Sequence, residues 1–396
     1  MYSQNTPDSN RNSINLVILV ILIISTFLVP PTMLGLKYTF ISLPLLIFAL
    51  VLFILTRGRH KLKISRKAMV LLVAIWCYYF YLCIQSVYFG GYFKVDYLKS
   101  IVSITIFVFV FSIVFSDSVI RYLYFKLFIG ILLFFVVSNI FTITLSLLIG
   151  AEKLLIFEIP MHEDTYKLQV FFPFTVTFGR MNFFGDIVMR LSALFREPGI
   201  AQAFYIWAFV VSHRYYISKL VKPLLLLGTV MTLSTTGFVL LAAVIFLTVV
   251  LEKFNFKRIL LSSLFVVLAG GVYLVVPGLS LESKNAESYE ARVGKLEQAN
   301  ELFIENPLFG TGASNAFIEG TSTSLLQQAY AIGSVGVLLF LVICFIGFIF
   351  ELRDWKVYLL SIFPVISTAL IAQPIYDSSI LYLFVLASHT YPLRTR

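Results

Sequence analysis

"TFISLPLLIFALVLFILTRGRHKLKISRKAMVLLVAIWCY", residues 39–78, sets two apolar runs around a cationic one. Residues 39–56 carry no charged side chain, and 57–67 carry Arg57, Arg59, Lys61, Lys63, Arg66 and Lys67 before apolar residues resume at Ala68. As a helix, a run of this length reaches across a hydrocarbon core about 30 Å thick. Six cations between two such runs are costly to translocate, so this turn belongs in the cytoplasm. The stretch therefore predicts a helix out of the membrane, a cytoplasmic turn and a helix back in.

The pattern repeats along the chain. Of 396 residues, 59% are hydrophobic and only 13% charged, where soluble domains carry roughly a quarter charged. Spans are expected at about 15–29, 39–56, 68–89, 100–116, 127–150, 198–213, 223–236, 237–251, 259–277, 333–350, 357–373 and 380–392. The expected fold is an all-α polytopic integral membrane protein, one membrane domain over 1–396, with about 12 transmembrane helices and two long extracytoplasmic loops, 151–197 and 278–332. Alternating from the cationic turn puts both termini in the cytoplasm and 19 of the 30 Lys and Arg inside. The net charge of +10 then reflects topology, and no basic face for nucleic acid remains.

The first run lacks a small-residue cleavage site before Pro30 and Pro31, so it reads as a span rather than a signal peptide. Cys77, Cys83 and Cys344 fall inside apolar runs without a C-x-x-C spacing and read as buried hydrophobes with no redox role. The run Pro223–Leu251 is flanked by cations at both ends, so a hairpin of two short helices broken at "STTG", Ser234–Gly237, keeps both clusters inside.

Most acids lie in the two long loops, which are expected to fold onto the membrane surface. In the second, Ser288–Asn306 has helical periodicity with Val293, Leu296, Ala299 and Phe303 on one stripe and Glu297, Glu301 and Glu305 elsewhere, stopped by Pro307. No span interior carries an evident ionisable residue of the kind ion-coupled transport needs. The chemistry is expected on the outer face.

Two clusters carry it. "RLSALFREPG", residues 190–199, places Arg190, Arg196 and Glu197 before a helix that starts near Pro198. Guanidinium groups hold phosphate bidentately, and a helix N-terminus adds charge of the same sign. Head-group anchoring is the alternative reading of such juxtamembrane arginines. "RVGKLEQANELFIENPLFGTG", residues 292–312, carries Arg292 and ends in Gly310 and Gly312, which allow close backbone approach and N–H groups aimed at an anion, with Asn315 following. A plain loop turn is the alternative there. "HED", His162–Asp164, lacks metal-ligand spacing, and no metal or cofactor site is expected. His60, His213 and His389 read as interfacial.

The stretch "RVGKLEQANELFIENPLFGTGASN" followed by "SLLQQAYAIGSVGVLLF" resembles the O-antigen ligase and polymerase superfamily in its long outside loop, its E-N-P-x-x-G-x-G turn and its G-x-x-G helix start, here Gly333 and Gly336. "RLSALFREP" is similar to the R-x-x-G-x-F-x-E-P segment of polymerase members. Ligase members carry a His-Asn type pair where this chain has Ser322 and Thr323, and a Ser-Arg pair where it has "STTG", so the resemblance points to the polymerase (Wzy-type) branch. It implies metal-independent glycosyl transfer at the outer face of the bacterial cytoplasmic (inner) membrane, from an undecaprenyl-diphosphate-linked glycan to the next lipid-linked repeat unit of an O-antigen, capsule or exopolysaccharide. Under it Arg190, Arg196 and Arg292 would stabilise the leaving diphosphate and Glu197 would act as base. Membrane lipid, a chain-length regulator and a flippase are the partners it suggests, and no nucleic acid. The competing classes are a lipid-linked oligosaccharide flippase or other transporter, against which no internal repeat is found, and an O-antigen ligase.

Overall fold

The computed structural model describes residues 9–57, 64–91, 93–160, 167–183, 186–216, 218–252, 297–313, 324–326, 328–350, 355–373 and 375–387. The chain is mostly helical: α1 (Ser9–Phe27), α2 (Gly35–Arg57), α3 (Arg66–Tyr88), α4 (Val95–Val114), α5 (Ser118–Ile149), α6 (Pro198–Val211), α7 (Val221–Met231), α8 (Thr235–Glu252), α9 (297–305), α10 (Ala329–Phe350), α11 (Trp355–Ser367, with a π turn to Ala372) and α12 (Ser379–Ala387). Among the described residues six helices, α2 to α5, α10 and α11, are long and apolar enough to cross a membrane. Shorter apolar helices fill most other expected positions, and the expected span 259–277 lies outside the described residues. The protein is a multi-pass membrane protein of helical class.

Local chemistry sets several helix ends. Ser65 caps α3 by accepting from the Ala68 amide, and Asp117 caps α5 by accepting from those of Val119 and Ile120. Pro198 opens α6, where its missing N–H costs nothing. The break between α7 and α8 comes at Thr232–Ser234, one turn earlier than "STTG" suggests, with Leu233 at φ +46°. Gly237 lies inside α8 instead, because its face meets Gln202 so closely that a Cβ there would collide with the amide.

Helix ends gather at two poles. At the cationic pole Arg57 pairs with Asp117 at 2.5 Å and donates to Asn15 at 3.3 Å, the Tyr216 hydroxyl donates to the Lys126 carbonyl at 2.6 Å, and Lys356 donates to the Leu251 carbonyl at 2.8 Å. The Arg57 and Asp117 side chains are only 7% and 17% exposed. Breaking such an enclosed pair leaves an uncompensated charge, so Asp117→Ala, which also removes the α5 cap, is expected to cost about 3 kcal/mol or more. Thermal unfolding in detergent measures it, and an unshifted midpoint refutes the clamp.

Between the poles the core is aromatic. Phe384 of α12 packs at 4.5 Å from Trp207, 5.0 Å from Phe204 and 5.5 Å from Phe128, edge to face with each. Helix α12 packs along α4 and turns its Phe384 ring toward α5 and α6. Of the cysteines Cys83 and Cys344 are buried but Cys77 is exposed, a correction that follows from its place on the outer side of α3.

The segment after α5 forms an antiparallel sheet, β1 (Leu155–Pro160), β2 (Lys167–Phe171), β3 (Thr175–Phe183) and β4 (Asp186–Leu191), in sequential order. Leu168, Val170 and Val176 are buried. In α9, Ala299, Leu302 and Phe303 pack on the core while Glu297, Glu301 and Glu305 are exposed, and the helix stops before Pro307. The half of that amphipathic pattern before residue 297 lies outside the described residues.

Candidate active site

At the pole opposite the cations, residues 190–199 cross the mouth of the bundle. The Ser192 amide donates to the Val176 carbonyl at 3.0 Å, ending β4, and Ala193 turns the chain at φ +50°. The loop between α1 and α2 then holds it: the Met33 amide donates to the Leu194 carbonyl at 2.9 Å and the Arg196 amide to the Pro31 carbonyl at 3.1 Å. The Phe195 ring stacks on Phe204 with centroids 4.5 Å apart. Arg196 and Glu197 are thus fixed at the start of α6, with Arg196 Nε 4.0 Å from Glu197 Oε1. Arg190 donates from Nε to the Thr232 carbonyl at 3.3 Å, covering the break between α7 and α8.

The glycine turn does a different job from the one its spacing suggests. The Gly310 amide donates to the Asn306 carbonyl at 2.8 Å and the Gly312 amide to the Ala331 carbonyl at 3.0 Å. Both N–H groups are thus engaged within the protein rather than free to cradle an anion. They are glycines because their backbones touch others: a Cβ on Gly312, at φ +122°, would lie 2.7 Å from the Gly90 nitrogen. The turn also caps α10 beyond Gly333, since the Ser334 and Val335 amides donate to the carbonyls of Pro307 and Leu308 at 2.9 and 3.2 Å. Gln85 of α3 fastens both sides, donating from Nε2 to the carbonyls of Phe309, at 2.6 Å, and Ala331, and accepting at Oε1 from the Ala313 amide.

Asp377, in the turn before α12, lies between these two segments. Its turn is held by Ser378 Oγ donating to the Pro30 carbonyl, the Tyr376 hydroxyl donating to Gln328 Oε1, and the Tyr382 hydroxyl donating to the Tyr376 carbonyl at 2.9 Å. Asp377 is solvent-exposed at the surface of this turn, with protein around it on the other sides. That enclosure pushes its carboxyl above the ordinary carboxylate range, while the positive fields of Arg196 and Lys94 and a backbone hydrogen bond pull it back. Enclosure likewise lowers Lys94, with Asp96 and Asp377 opposing. Lys94 sits 5.5 Å over the Tyr97 ring, whose hydroxyl donates to the Ala313 carbonyl at 2.9 Å.

Arg196 and Lys94 thus both act electrostatically on Asp377. Two amides have unpaired atoms among the described residues: Gln202, fully buried against Gly237, uses neither side-chain atom, and Gln373 leaves Oε1 without a partner. Gln373 packs on Gly199 at the start of α6. Unpaired buried amides are expensive and fit the hydroxyls of a polyol. The sequence reading overlooked Asp377, Lys94 and Gln85, which belong to no recognisable motif. Arg292, Asn315, Ser322 and Thr323 lie outside the described residues. Among the described residues no cluster of His, Cys, Asp and Glu could hold a metal ion.

Residues 221–334 match the family model described as O-antigen ligase. The matched stretch runs from α7 through the glycine turn to the start of α10, leaving Lys94, Arg190, Arg196 and Asp377 outside it. No curated protein and no solved structure matches the chain.

Proposed function

The match at residues 221–334 supports the O-antigen ligase/polymerase superfamily, and from that premise we propose that the chain is a Wzy-type repeat-unit polymerase. It transfers a growing glycan from undecaprenyl diphosphate to the next lipid-linked repeat unit at the outer face of the bacterial cytoplasmic membrane. The observation that carries the reading is the electrostatic influence of Arg196 and Lys94 on Asp377, at the pole opposite the cationic turns.

In this reading the diphosphate of the donor sits against Arg196 and Arg190, whose planar forks grip phosphate oxygens in pairs, with Lys94 as a point charge. Arg292, which lies outside the described residues, is proposed from the sequence alone to act on the same leaving group. The acceptor hydroxyl gives its proton to the Asp377 carboxylate while its oxygen bonds to the anomeric carbon of the donor. The bond from that carbon to the diphosphate oxygen breaks, and the electron pair leaves on the diphosphate. The cations stabilise the charge that develops there. Glu197, paired with Arg196, orients the guanidinium in this scheme. Gln373, packed against the start of α6, meets sugar hydroxyls. The membrane lipid carries the polyprenyl tails, and a chain-length regulator and a flippase act beside the enzyme.

Removing the chain from its host tests the class. A missing polymerase leaves single repeat units on the cell surface, a missing ligase leaves polymer on its lipid diphosphate carrier, and a missing flippase leaves no glycan outside. The first outcome is expected. In a complementing copy, Arg190→Ala and Arg196→Ala should each lower polymer formation by roughly 100-fold, as removal of a charge-stabilising donor does. Arg→Lys should restore it only in part. Normal polymer from both alanine variants would reduce these arginines to head-group anchors.

A further inference from the structure

The turn between β2 and β3, Phe172-Pro173-Phe174, lies beside the middle of α5 rather than above its end. The Phe174 amide donates to Ser138 Oγ at 3.1 Å, and Thr142 Oγ1 donates to the Phe172 carbonyl at 2.8 Å. The Phe174 and Phe134 rings are 6.4 Å apart. Helix α5 can serve as a depth gauge, because its apolar residues run without a charge from Leu127 to Ile149 after Lys126, which is tied to Tyr216 at the cationic pole. At 1.5 Å per residue, Ser138 and Thr142 stand about 18 and 24 Å above Lys126. A hydrocarbon core about 30 Å thick starting there ends near residue 146. The turn therefore sits inside the apolar half-layer on the site side.

Two further observations fit that depth. Backbone outside helices survives in hydrocarbon only if its polar groups are satisfied by protein. Here the Phe172 amide donates to the Leu154 carbonyl at 2.8 Å, Pro173 has no N–H, and Thr175 Oγ1 is bonded to Ser138 and Thr142 hydroxyls at 3.0 and 2.7 Å. The rings, by contrast, face outward: Phe172 is 54% and Phe174 61% exposed. They continue a stripe of exposed apolar side chains on α5, Phe134, Val137 and Phe141, at spacings of three and four residues. Glu152 and Lys153, exposed between the end of α5 and β1, supply polar side chains at the border.

We infer that this turn is a lipid-immersed wedge, its two phenylalanines in contact with acyl chains of the half-layer on the site side. The sheet is then a re-entrant element that pins the arginine segment at its far end, β4, to a fixed depth. This inference rests on the membrane placement of α5 and not on the proposed reaction.

The test places a nitroxide at Phe174→Cys, with Cys77, Cys83 and Cys344 changed to Ala, in phosphatidylethanolamine and phosphatidylglycerol vesicles. Its collisions with oxygen and with a polar nickel chelate are compared with labels at Phe141→Cys and Lys167→Cys. The label at 174 should match 141, with nickel accessibility roughly tenfold below that at 167, because a polar chelate is excluded from hydrocarbon. Nickel accessibility equal to that at 167, or shielding from both reagents, overturns the wedge. Phe174→Trp keeps an apolar ring and gives a second reading. Lipids brominated along the acyl chain should quench the added fluorescence, and an unquenched signal overturns the proposal equally.

Discussion

Asp377→Asn is expected to yield a folded protein that forms at least about 100-fold less polymer, the loss that follows removal of a general base. Asparagine keeps the shape and the hydrogen-bonding reach of the side chain, so the turn before α12, held by Ser378, Tyr376 and Tyr382, stays in place. What disappears is the negative charge facing Arg196 and Lys94. The pH dependence gives an independent reading. Enclosure raises the carboxyl above its ordinary range, so the ionised, proton-accepting form becomes populated only as pH rises through that raised value, and the wild-type rate should climb over the same interval. Asp377→Glu should retain part of the activity and the same direction of pH dependence. If the asparagine variant polymerises normally, the proton acceptor is elsewhere, and Glu197 is the next group to change.

Gly333→Ala should leave little folded protein at all. Gly333 holds φ +66° and ψ 175° inside α10, a backbone region essentially closed to other residues. Its face is pressed against the backbone of Leu308 and Phe309, so an added methyl meets main chain that cannot rotate away. Strain and collision together are expected to cost about 3 kcal/mol or more. Gly91→Ala separates the two effects, since Gly91 has φ +73° but nothing within 4 Å of the added carbon. That variant should lose only about 1–2 kcal/mol. Equal yields of monodisperse protein from Gly333→Ala and wild type would show that the glycine turn is not what seats α10.

The physical basis of what could be read in advance is plain in these residues. Spans announce themselves because lipid demands apolar runs of a certain length, and the break between α7 and α8 follows from cations at both ends of one run. The E-N-P-x-x-G-x-G and G-x-x-G motifs were visible, but their purpose was not. Spacing alone cannot tell an amide that cradles an anion from one already bonded to Ala331. The sheet had a signal in the alternation of Leu168, Gln169 and Val170, whose burial alternates with it. It was read as surface loop because a strand shows its role only once a partner is known. Asp377 and Lys94 were missed for a related reason. Each sits in a short connection without a motif around it, more than 280 positions from the other, and only the fold brings one into the field of the other.

The way the mouth of the bundle is held has a consequence for synthesis. The connection between α1 and α2 takes hydrogen bonds from Met33 to Leu194, from Arg196 to Pro31 and from Ser378 to Pro30, so the earliest loop made grips segments translated about 160 and 350 residues later. A ribosome-bound chain thus carries Arg190 and Arg196 long before Asp377 is made. The outer pole is therefore closed only when α12 arrives and its preceding turn brings Ser378 to Pro30, so insertion of that late helix is the step that locks the earlier segments in place.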